Sequence, residues 1–462
     1  MSSRSTRGRP ASDRPVVNTH GPGEGAGWRA LRGGALTFAG DPFVVAPEEA
    51  LRHVADALIV IRDGRIAAFG EATALLPTLP PGTLVTRYAD ALIVPGFVDA
   101  HVHYPQLPII GAFGKTLLDW LDHYTFVAEQ RFADPAVASA AADAYLDECL
   151  RQGITSAAVY CTVHPVSVDA FFAAAEMRGL RMVAGKVLMD RHAPAALTDT
   201  AQSAYDDSKA LIGRWHGRGR LAYAVTPRFA ATSTPAQLAA AGALVREHPG
   251  VYVQTHYAET TEEIAWVERL FPGPGDYLDV YARHGLVGRR TVLGHGIHVD
   301  DGVWQRLHDA GAAIAHCPTS NNFLGSGLFR IGAAKDVARQ VHVALGTDVG
   351  GGTTLSMLAT MNEAYKVARH TGFALTAAQA LWLATGGAAQ ALDLAGVIGG
   401  LEPGHDADLV VLDLAATPLL RYRMPFCRSI DEMLAVLMML GDDRAVRATW
   451  VAGRLAHERA AN

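Results

Sequence analysis

Cysteine is scarce in this sequence, and the few cysteines are far apart. The 462 residues include four, Cys149, Cys161, Cys317 and Cys427, and none forms a Cys-x-x-Cys pair. This spacing indicates neither a disulfide framework nor a cysteine-based zinc site. A reducing compartment fits this usage best, so we expect a cytoplasmic protein.

Long apolar runs and an excess of positive charge are also missing. No window holds 18 uninterrupted apolar residues, so a membrane-spanning helix is not indicated. The formal net charge is −6, with 19% of residues charged and 50% hydrophobic, which is typical of a globular protein without a basic face. We therefore expect no membrane partner and no nucleic-acid partner.

The first 27 residues lack the apolar segment of a secretory signal. They are rich in Ser, Arg, Pro and Gly, and such a composition offers little apolar surface to offset the entropy of ordering. We predict a disordered tail over residues 1–27.

Short apolar runs alternate with longer segments of helical period from about residue 88 onward, which is typical of parallel strands joined by helices. Eight such runs follow one another: ALIVPGFVDAHVH, ITSAAVYCT, RMVAGKVLM, LAYAVTPRF, VYVQTHYAE, TVLGHGIH, AAIAHCPTS and HVALGTDVG. Intervening segments such as DPAVASAAADAYLDECLRQG and TPAQLAAAGALVREH read as helices. Eight units predict an α/β fold with a (β/α)8 barrel over residues 88–399.

The two flanks of this region have a different pattern, with strands joined by turns. In LIVIRDGRIAAFG the pair Asp63-Gly64 is a strong hairpin signal, and DADLVVLDL is a second strand candidate. Each flank is small and would leave open strand edges if it stood alone. We therefore predict that residues 28–94 and 400–457 pair into a small composite β-sandwich beside the barrel.

Polar side chains stand at the carboxyl ends of four predicted barrel strands, where barrel enzymes place catalytic groups. They are His101 and His103 on strand one, His256 and Glu259 on strand five, His295 on strand six and Asp348 on strand eight. A lone histidine is more often a hydrogen-bonded structural residue than a ligand. The arrival of six such residues at one end of a barrel favours a functional site.

Three imidazoles and one carboxylate make a suitable zinc set, with an open position for a water molecule whose pKa falls to about 7. Glu259 follows His256 by three residues and suits a general acid/base near the metal. His295 has two alternatives, a further metal ligand or an outer partner that orients the attacking water together with Asp348. We favour the second.

Several motifs carry a family resemblance: PGFVDAHVHYPQ at 95–106, GKVLMDRHAP at 185–194, TPRF at 226–229, HYAE at 256–259, CPTSNNFLGSGLF at 317–329, LGTDVGGGT at 345–353 and LGDDR at 440–444. In these motifs the chain resembles the amidohydrolase superfamily and, within it, the guanine deaminase family. HxHxPQ, TPRF and SNxxLGSGLF are specific to that family. The resemblance extends from about residue 30 to the end.

The resemblance implies a distorted, TIM-like (β/α)8 barrel with a composite β-sandwich, one zinc ion per chain and a homodimer. It implies zinc ligands at His101, His103, His256 and Asp348, a proton shuttle at Glu259, and purine contacts at Gln106, Arg228 and Phe229. His103, His256, Glu259 and Asp348 also border the expected substrate. Strand four offers Arg228 where binuclear relatives carry a bridging lysine, and we interpret Lys186 on strand three as a buried structural residue.

The implied reaction is the zinc-dependent hydrolysis of guanine to xanthine and ammonia. Arg228 can only donate hydrogen bonds, so it suits the O6 carbonyl of guanine and not the N6 amine of adenine. Two alternatives stay open. One is a related deaminase acting on 8-oxoguanine, a pterin or a triazine, and the other is a non-catalytic scaffold, which Glu259 and Asp348 argue against.

Overall fold

The computed structural model describes residues 27–114, 117–273 and 275–460. The tail predicted over residues 1–27 lies, apart from Gly27, outside these described residues. The strands are β1 (Trp28–Phe38), β2 (Leu51–Arg62), β3 (Arg65–Glu71), β4 (Leu84–Pro95), β5 (Phe97–His103), β6 (Ile154–Tyr160), β7 (Arg181–Gly185), β8 (Val187–Leu188), β9 (Ala222–Pro227), β10 (Tyr252–Tyr257), β11 (Thr291–His295), β12 (Ala313–His316), β13 (His342–Leu345), β14 (Leu409–Asp413), β15 (Val446–Val451) and β16 (Arg454–Glu458).

Helices connect most of the strands. They are α1 (Pro47–Ala50), α2 (Ala72–Leu75), α3 (Leu117–Trp120), α4 (Phe126–Gln130), α5 (Pro135–Arg151), α6 (Pro165–Arg178), α7 (Ala201–Trp215), α8 (Pro235–Glu247), α9 (Thr261–Leu270), α10 (Tyr277–Ala282), α11 (Asp301–Ala310), α12 (Pro318–Leu324), α13 (Ile331–Ala334), α14 (Met357–His370), α15 (Ala377–Leu383), α16 (Gly386–Ala391), α17 (Pro418–Arg423) and α18 (Ile430–Leu440). Within the described residues, none of these helices is both long and apolar enough to cross a membrane.

The predicted helices α5 and α8 start where their sequences place a capping residue followed by proline. Asp134 accepts a hydrogen bond from the Ala136 amide at 2.8 Å, and Pro135 begins α5. Thr234 caps α8 in the same way, and Pro235 follows it. The cap satisfies a free amide of the first turn, and proline at this position removes a donor that would have no partner.

The barrel strands run parallel in the order β5, β6, β7, β9, β10, β11, β12, β13. Two backbone hydrogen bonds join its first strand to the segment after its last. The Asp348 amide donates to the His101 carbonyl at 2.8 Å, and the His103 amide donates to the Val349 carbonyl at 2.9 Å. The predicted eight-unit barrel is confirmed, and these bonds hold two predicted site segments together.

Two of the predicted barrel strands are interrupted. The run ALIVPGFVDAHVH is divided at Gly96, so that β4 pairs with flank strands β1 and β14 while β5 starts the barrel. A Cβ atom on Gly96 would lie 2.1 Å from Thr155 Oγ1, so this crossing needs glycine. The run RMVAGKVLM is divided into β7 and β8, and β8 pairs with β9.

Lys186 lies at the second interruption, between β7 and β8. Its side chain is fully buried and forms an ion pair with Asp199, which also accepts a hydrogen bond from Gln237 Nε2 at 2.5 Å. The prediction that Lys186 is a buried, hydrogen-bonded residue is therefore confirmed.

The flanks form one seven-stranded sheet in the order β16, β15, β14, β4, β1, β2, β3, to which both ends of the chain contribute. Only the β1–β4 pair is parallel within it. The β2–β3 hairpin turns at Asp63 and Gly64, whose φ angles are 51° and 79° as a two-residue hairpin turn of this type requires. The exact domain limits, 28–94 with 400–457 and 88–399, stay a prediction.

Candidate active site

Four predicted metal ligands meet at the carboxyl end of the barrel. One donor atom from each of His101, His103, His256 and Asp348 lies within 4.8 Å of the others. Asp348 Oδ1 is 3.3 Å from His101 Nε2 and 3.5 Å from His103 Nε2. The Nε2 atoms of His103 and His256 are 3.1 Å apart.

The chain takes an unusual backbone conformation where it leaves these strands. Ala258, His295 and Asp348 have φ angles of 49°, 69° and 50°, in the left-handed region that residues other than glycine rarely adopt. Such residues cluster at functional sites, where the surrounding structure holds them. Here they direct Glu259, His295 and Asp348 toward one volume.

The protonation of the histidines fits a bound cation. Burial lowers the pKa of His101, His103 and His256, which keeps the rings neutral. His256 Nδ1 lies 2.7 Å from the Arg228 carbonyl and donates to it, so its Nε2 carries a lone pair toward His103. The Nε2 atoms of His103 and His256 lie close together beside the Asp348 carboxylate, and this combination of donor atoms is typical of a zinc site.

Asp348 is ionised in this environment. Burial alone would raise its pKa, but His101, His295 and His103 outweigh that effect and hold the pKa below its ordinary value. A second cluster joins Asp348 to His295 and Cys317. Burial raises the pKa of the Cys317 thiol, which donates to the Ala315 carbonyl at 3.4 Å, so this sulfur is a poor ligand.

Glu259 lies beside the ligand cluster. Burial raises the pKa of its carboxyl group to about 7. Its Oε1 accepts a hydrogen bond from the Ser326 hydroxyl at 2.8 Å, and its Oε2 is 3.4 Å from His295 Nε2. A carboxyl group that titrates near neutral pH can both accept and release a proton there.

His295 stands between two carboxylates. Its Nδ1 donates to Asn321 Oδ1 at 2.8 Å, and its Nε2 lies 3.7 Å from Asp348 Oδ2 as well as near Glu259. Burial by itself would lower the pKa of His295, but Glu259 and Asp348 raise it above its ordinary value. His295 is thus placed outside the four-residue cluster and in contact with it.

A cavity opens next to the cluster. Its wall contains the predicted site residues His103, Gln106, Arg228, Phe229, His256, Glu259, His295 and Asp348. His101 stands behind them, within the ligand cluster. Leu117, Trp120, Leu121 and Leu324 give the cavity an apolar side, and Trp120 is itself buried with its Nε1 donating to the Ala112 carbonyl at 2.9 Å.

Comparisons with known proteins agree with this geometry. Residues 92–456 match the sequence profile of the amidohydrolase family. The chain belongs to the amidohydrolase family. It is 48% identical over 416 residues to the guanine deaminase of Escherichia coli (strain K12), a match that covers 89% of this chain and 94% of that protein.

Solved structures give the same picture. A structure of the E. coli guanine deaminase superimposes with a TM-score of 0.91 at 46% identity, covering 94% of this chain and all of the other. A guanine deaminase from C. acetobutylicum with guanine bound in its active site has a TM-score of 0.82 at 26% identity, covering 93% and 99%. The family resemblance predicted from the motifs is therefore confirmed.

Glu129 is a site neighbour that the sequence analysis missed. It is 0% exposed on α4, and both of its oxygens accept hydrogen bonds from Arg228 Nη1, at 2.9 and 2.7 Å. Gln106 Nε2 donates to the same carboxylate at 2.9 Å. Ser326 and Asn321 were also missed, although both lie in the quoted motif CPTSNNFLGSGLF; Glu129 lies outside every quoted motif.

Proposed function

We propose that the protein hydrolyses guanine to xanthine and ammonia. The observation that carries this proposal is one cavity whose wall holds two chemically different groups. One group is the histidine–aspartate cluster with Glu259, and the other is the pair of hydrogen-bond donors Arg228 and Gln106. The likeness to guanine deaminases, one of them with guanine bound, supports the choice of substrate.

We propose one zinc ion per chain, held by His101, His103, His256 and Asp348. Three ring nitrogens and one carboxylate oxygen suit zinc. Arg228 follows β9, so the chain offers no lysine there to bridge a second metal. When bound, zinc lowers the pKa of a coordinated water molecule toward neutrality and so supplies a nucleophile at pH 7.

In the proposed reaction a C2–O bond forms and the C2–N2 bond of guanine breaks. Glu259 carries a proton from the attacking water to N3, because its carboxyl pKa of about 7 suits transfer in both directions. His295 orients the water, since its Nε2 lies between the carboxylates of Glu259 and Asp348. Asp348 takes the second proton of the water, this proton passes on to the leaving nitrogen N2, and ammonia departs while C2 becomes a carbonyl carbon of xanthine.

Arg228 and Gln106 bind the far side of the purine in this proposal. A guanidinium group only donates, so Arg228 complements a carbonyl oxygen such as O6. Phe229 lines the same cavity, with its ring packed edge-on against Trp266 at 5.9 Å between centroids. Phe229 therefore forms a wall against the substrate plane.

The test is ammonia release from a panel of guanine, adenine, 8-oxoguanine, a pterin and a triazine, with the zinc content of the same protein measured by elemental analysis. We expect guanine to be the preferred substrate, with about one zinc per chain. Treatment with a chelator should abolish turnover, and added zinc should restore it. Preference for the pterin, the triazine or 8-oxoguanine would favour the alternative deaminase, and two metals per active chain would contradict the single-metal proposal.

We also propose a homodimer, on the family resemblance alone, and a cytoplasmic location, on cysteine usage. All four cysteines are free, and Cys149, Cys161 and Cys317 are buried. Light scattering that returns a monomer mass would contradict the first proposal.

A further inference from the structure

Glu129 is a buried carboxylate to which the proposed reaction gives no role. It contacts both hydrogen-bond donors that the proposal assigns to the purine, Arg228 and Gln106. We propose that Glu129 is a positioning residue that fixes these two side chains and makes the pocket selective for an uncharged purine carbonyl over a purine anion. This proposal rests on the proposed deamination of guanine and deepens it.

Glu129 compensates the charge of Arg228. Arg228 is 3% exposed, and among the described residues Glu129 is the only carboxylate within 4.0 Å of its guanidinium group. A buried cation without a partner is costly, and the bonded pair removes that cost. Because the pair carries no net charge, it attracts a carbonyl dipole but offers no excess positive charge to an anionic ligand.

Glu129 also determines which N–H groups of Arg228 stay free for a ligand. Glu129 accepts two hydrogen bonds from one nitrogen of Arg228, Nη1. Its Nε and Nη2 make no hydrogen bond to the described part of the protein. These N–H groups are therefore available to a ligand, while the hydrogen bonds to Glu129 fix the position of the guanidinium plane.

Glu129 also orients the side-chain amide of Gln106. An ionised carboxylate only accepts and a backbone amide only donates. Gln106 Nε2 faces Glu129 at 2.9 Å, and Gln106 Oε1 faces the Gly350 amide at 3.2 Å. These two partners fix the orientation of the side-chain amide. The second N–H of Gln106 Nε2 is then a further hydrogen-bond donor beside Arg228.

Helix α4 supplies a second contact to Arg228. Phe126 precedes Glu129 by three residues, so both side chains lie on the same face of the helix. The Phe126 ring centre lies 5.7 Å from the guanidinium carbon. Thus α4 contacts Arg228 with the Phe126 ring and with the Glu129 carboxylate. Both contacts restrict the rotamers of Arg228, and a residue that determines specificity needs such a fixed side chain.

The test compares two inhibitors that share the 6-carbonyl of guanine. Hypoxanthine is neutral and has no 2-amine to lose, whereas urate is an anion at neutral pH. For Glu129→Gln we expect the KM for guanine to rise about tenfold or more, because a charge-assisted partner of Arg228 is lost. We expect the ratio of the urate Ki to the hypoxanthine Ki to fall by about tenfold or more, since Arg228 now presents an uncompensated charge.

Glu129→Asp separates charge from position. It keeps the carboxylate but shortens its reach, so the KM for guanine should rise while the Ki ratio stays close to the wild-type value. Glu262→Gln is the matched control, because Glu262 is exposed on α9. Melting temperature and zinc content are measured for each variant.

A KM for guanine and a Ki ratio that both stay at wild-type values in Glu129→Gln would overturn the proposal. An unchanged ratio with a lowered melting temperature would make Glu129 a packing residue only. If Glu129→Gln fails to fold, Glu129→Asp decides, and a wild-type KM in that variant overturns the positioning role. If wild type does not deaminate guanine, the proposed function fails, whereas calorimetric binding of hypoxanthine and urate still tests Glu129.

Discussion

Glu259→Gln is the sharpest test of the proposed proton shuttle, because the substitution removes proton transfer and keeps the shape of the side chain. In this variant the side-chain carbonyl oxygen can still accept the hydrogen bond that Ser326 donates to Glu259 at 2.8 Å. The substitution also removes the Glu259 charge, which raises the pKa of His295, so the ring is more readily neutral in the variant. In the neutral ring Nδ1 donates to Asn321, and Nε2 can accept a hydrogen bond from the new amide nitrogen. We therefore expect an intact fold, bound zinc and an almost unchanged KM.

The expected loss lies in kcat. General acid/base catalysis contributes roughly 10²–10⁴-fold to a rate, which corresponds to about 2.7–5.4 kcal/mol of activation free energy. A loss within this range is expected, because Glu259 is buried and its pKa of about 7 suits proton transfer in both directions. Glu263 is a second buried carboxyl group on the cavity wall, but it accepts hydrogen bonds from the Tyr277 hydroxyl and the Glu259 amide.

The assay follows the loss of guanine absorbance and the release of ammonia at saturating guanine, with zinc content measured on the same samples. Glu262→Gln makes the same chemical change at an exposed position three residues further along the chain. It should leave kcat unchanged. A kcat for Glu259→Gln within about threefold of wild type, with zinc bound, would refute the shuttle role, since that loss is far below the range given for such catalysis.

Other predictions concern the metal, the substrate and the tail. His101→Ala should lose most of the zinc, since one of the four proposed ligands is removed. A variant that keeps zinc and activity would show that His101 and His103 are structural residues. Arg228→Ala should lower kcat/KM for guanine by roughly 10²-fold or more, because a charge-assisted hydrogen bond is lost and Glu129 is left without its cation. Wild type should reject adenine by about 10⁴–10⁵ relative to guanine, the discrimination of sites that rely on hydrogen bonds. Deletion of residues 1–25 should leave kcat and KM unchanged, and a large loss would show that the tail contributes to the site.

The site residues at the strand ends could be predicted from sequence, because each of them lies in a strand or within a few residues of its carboxyl end. His101 and His103 end an apolar run, and His256 ends another. Parallel strands bring their carboxyl ends to one rim, so the sequence position alone fixes the neighbourhood. The interruptions at Gly96 and after β7 could not be predicted, because they depend on the close approach of a neighbouring strand.

Glu129 could not be predicted because its segment lacks a regular period. Between β5 and α5 the chain forms 3-10 turns, a π-helical turn over Leu121–Thr125 and the five-residue α4. A glutamate in AEQRF is most simply read as solvent-exposed, since charged residues are almost never fully buried unless paired. Its partner Arg228 is 99 residues away, so only the folded chain reveals the pair.

The main chain and the side chain of Arg228 have different contacts, so zinc binding and guanine binding can be tested separately at this residue. The Arg228 carbonyl accepts hydrogen bonds from the His256 amide at 3.0 Å and from His256 Nδ1 at 2.7 Å. The main chain of Arg228 therefore orients a predicted zinc ligand, while its side chain faces the substrate with Glu129 behind it. Arg228→Ala removes the side chain and keeps the carbonyl, so zinc binding should persist while guanine binding is lost. Loss of zinc together with guanine binding would mean that the Arg228 side chain is needed to keep the carbonyl in place.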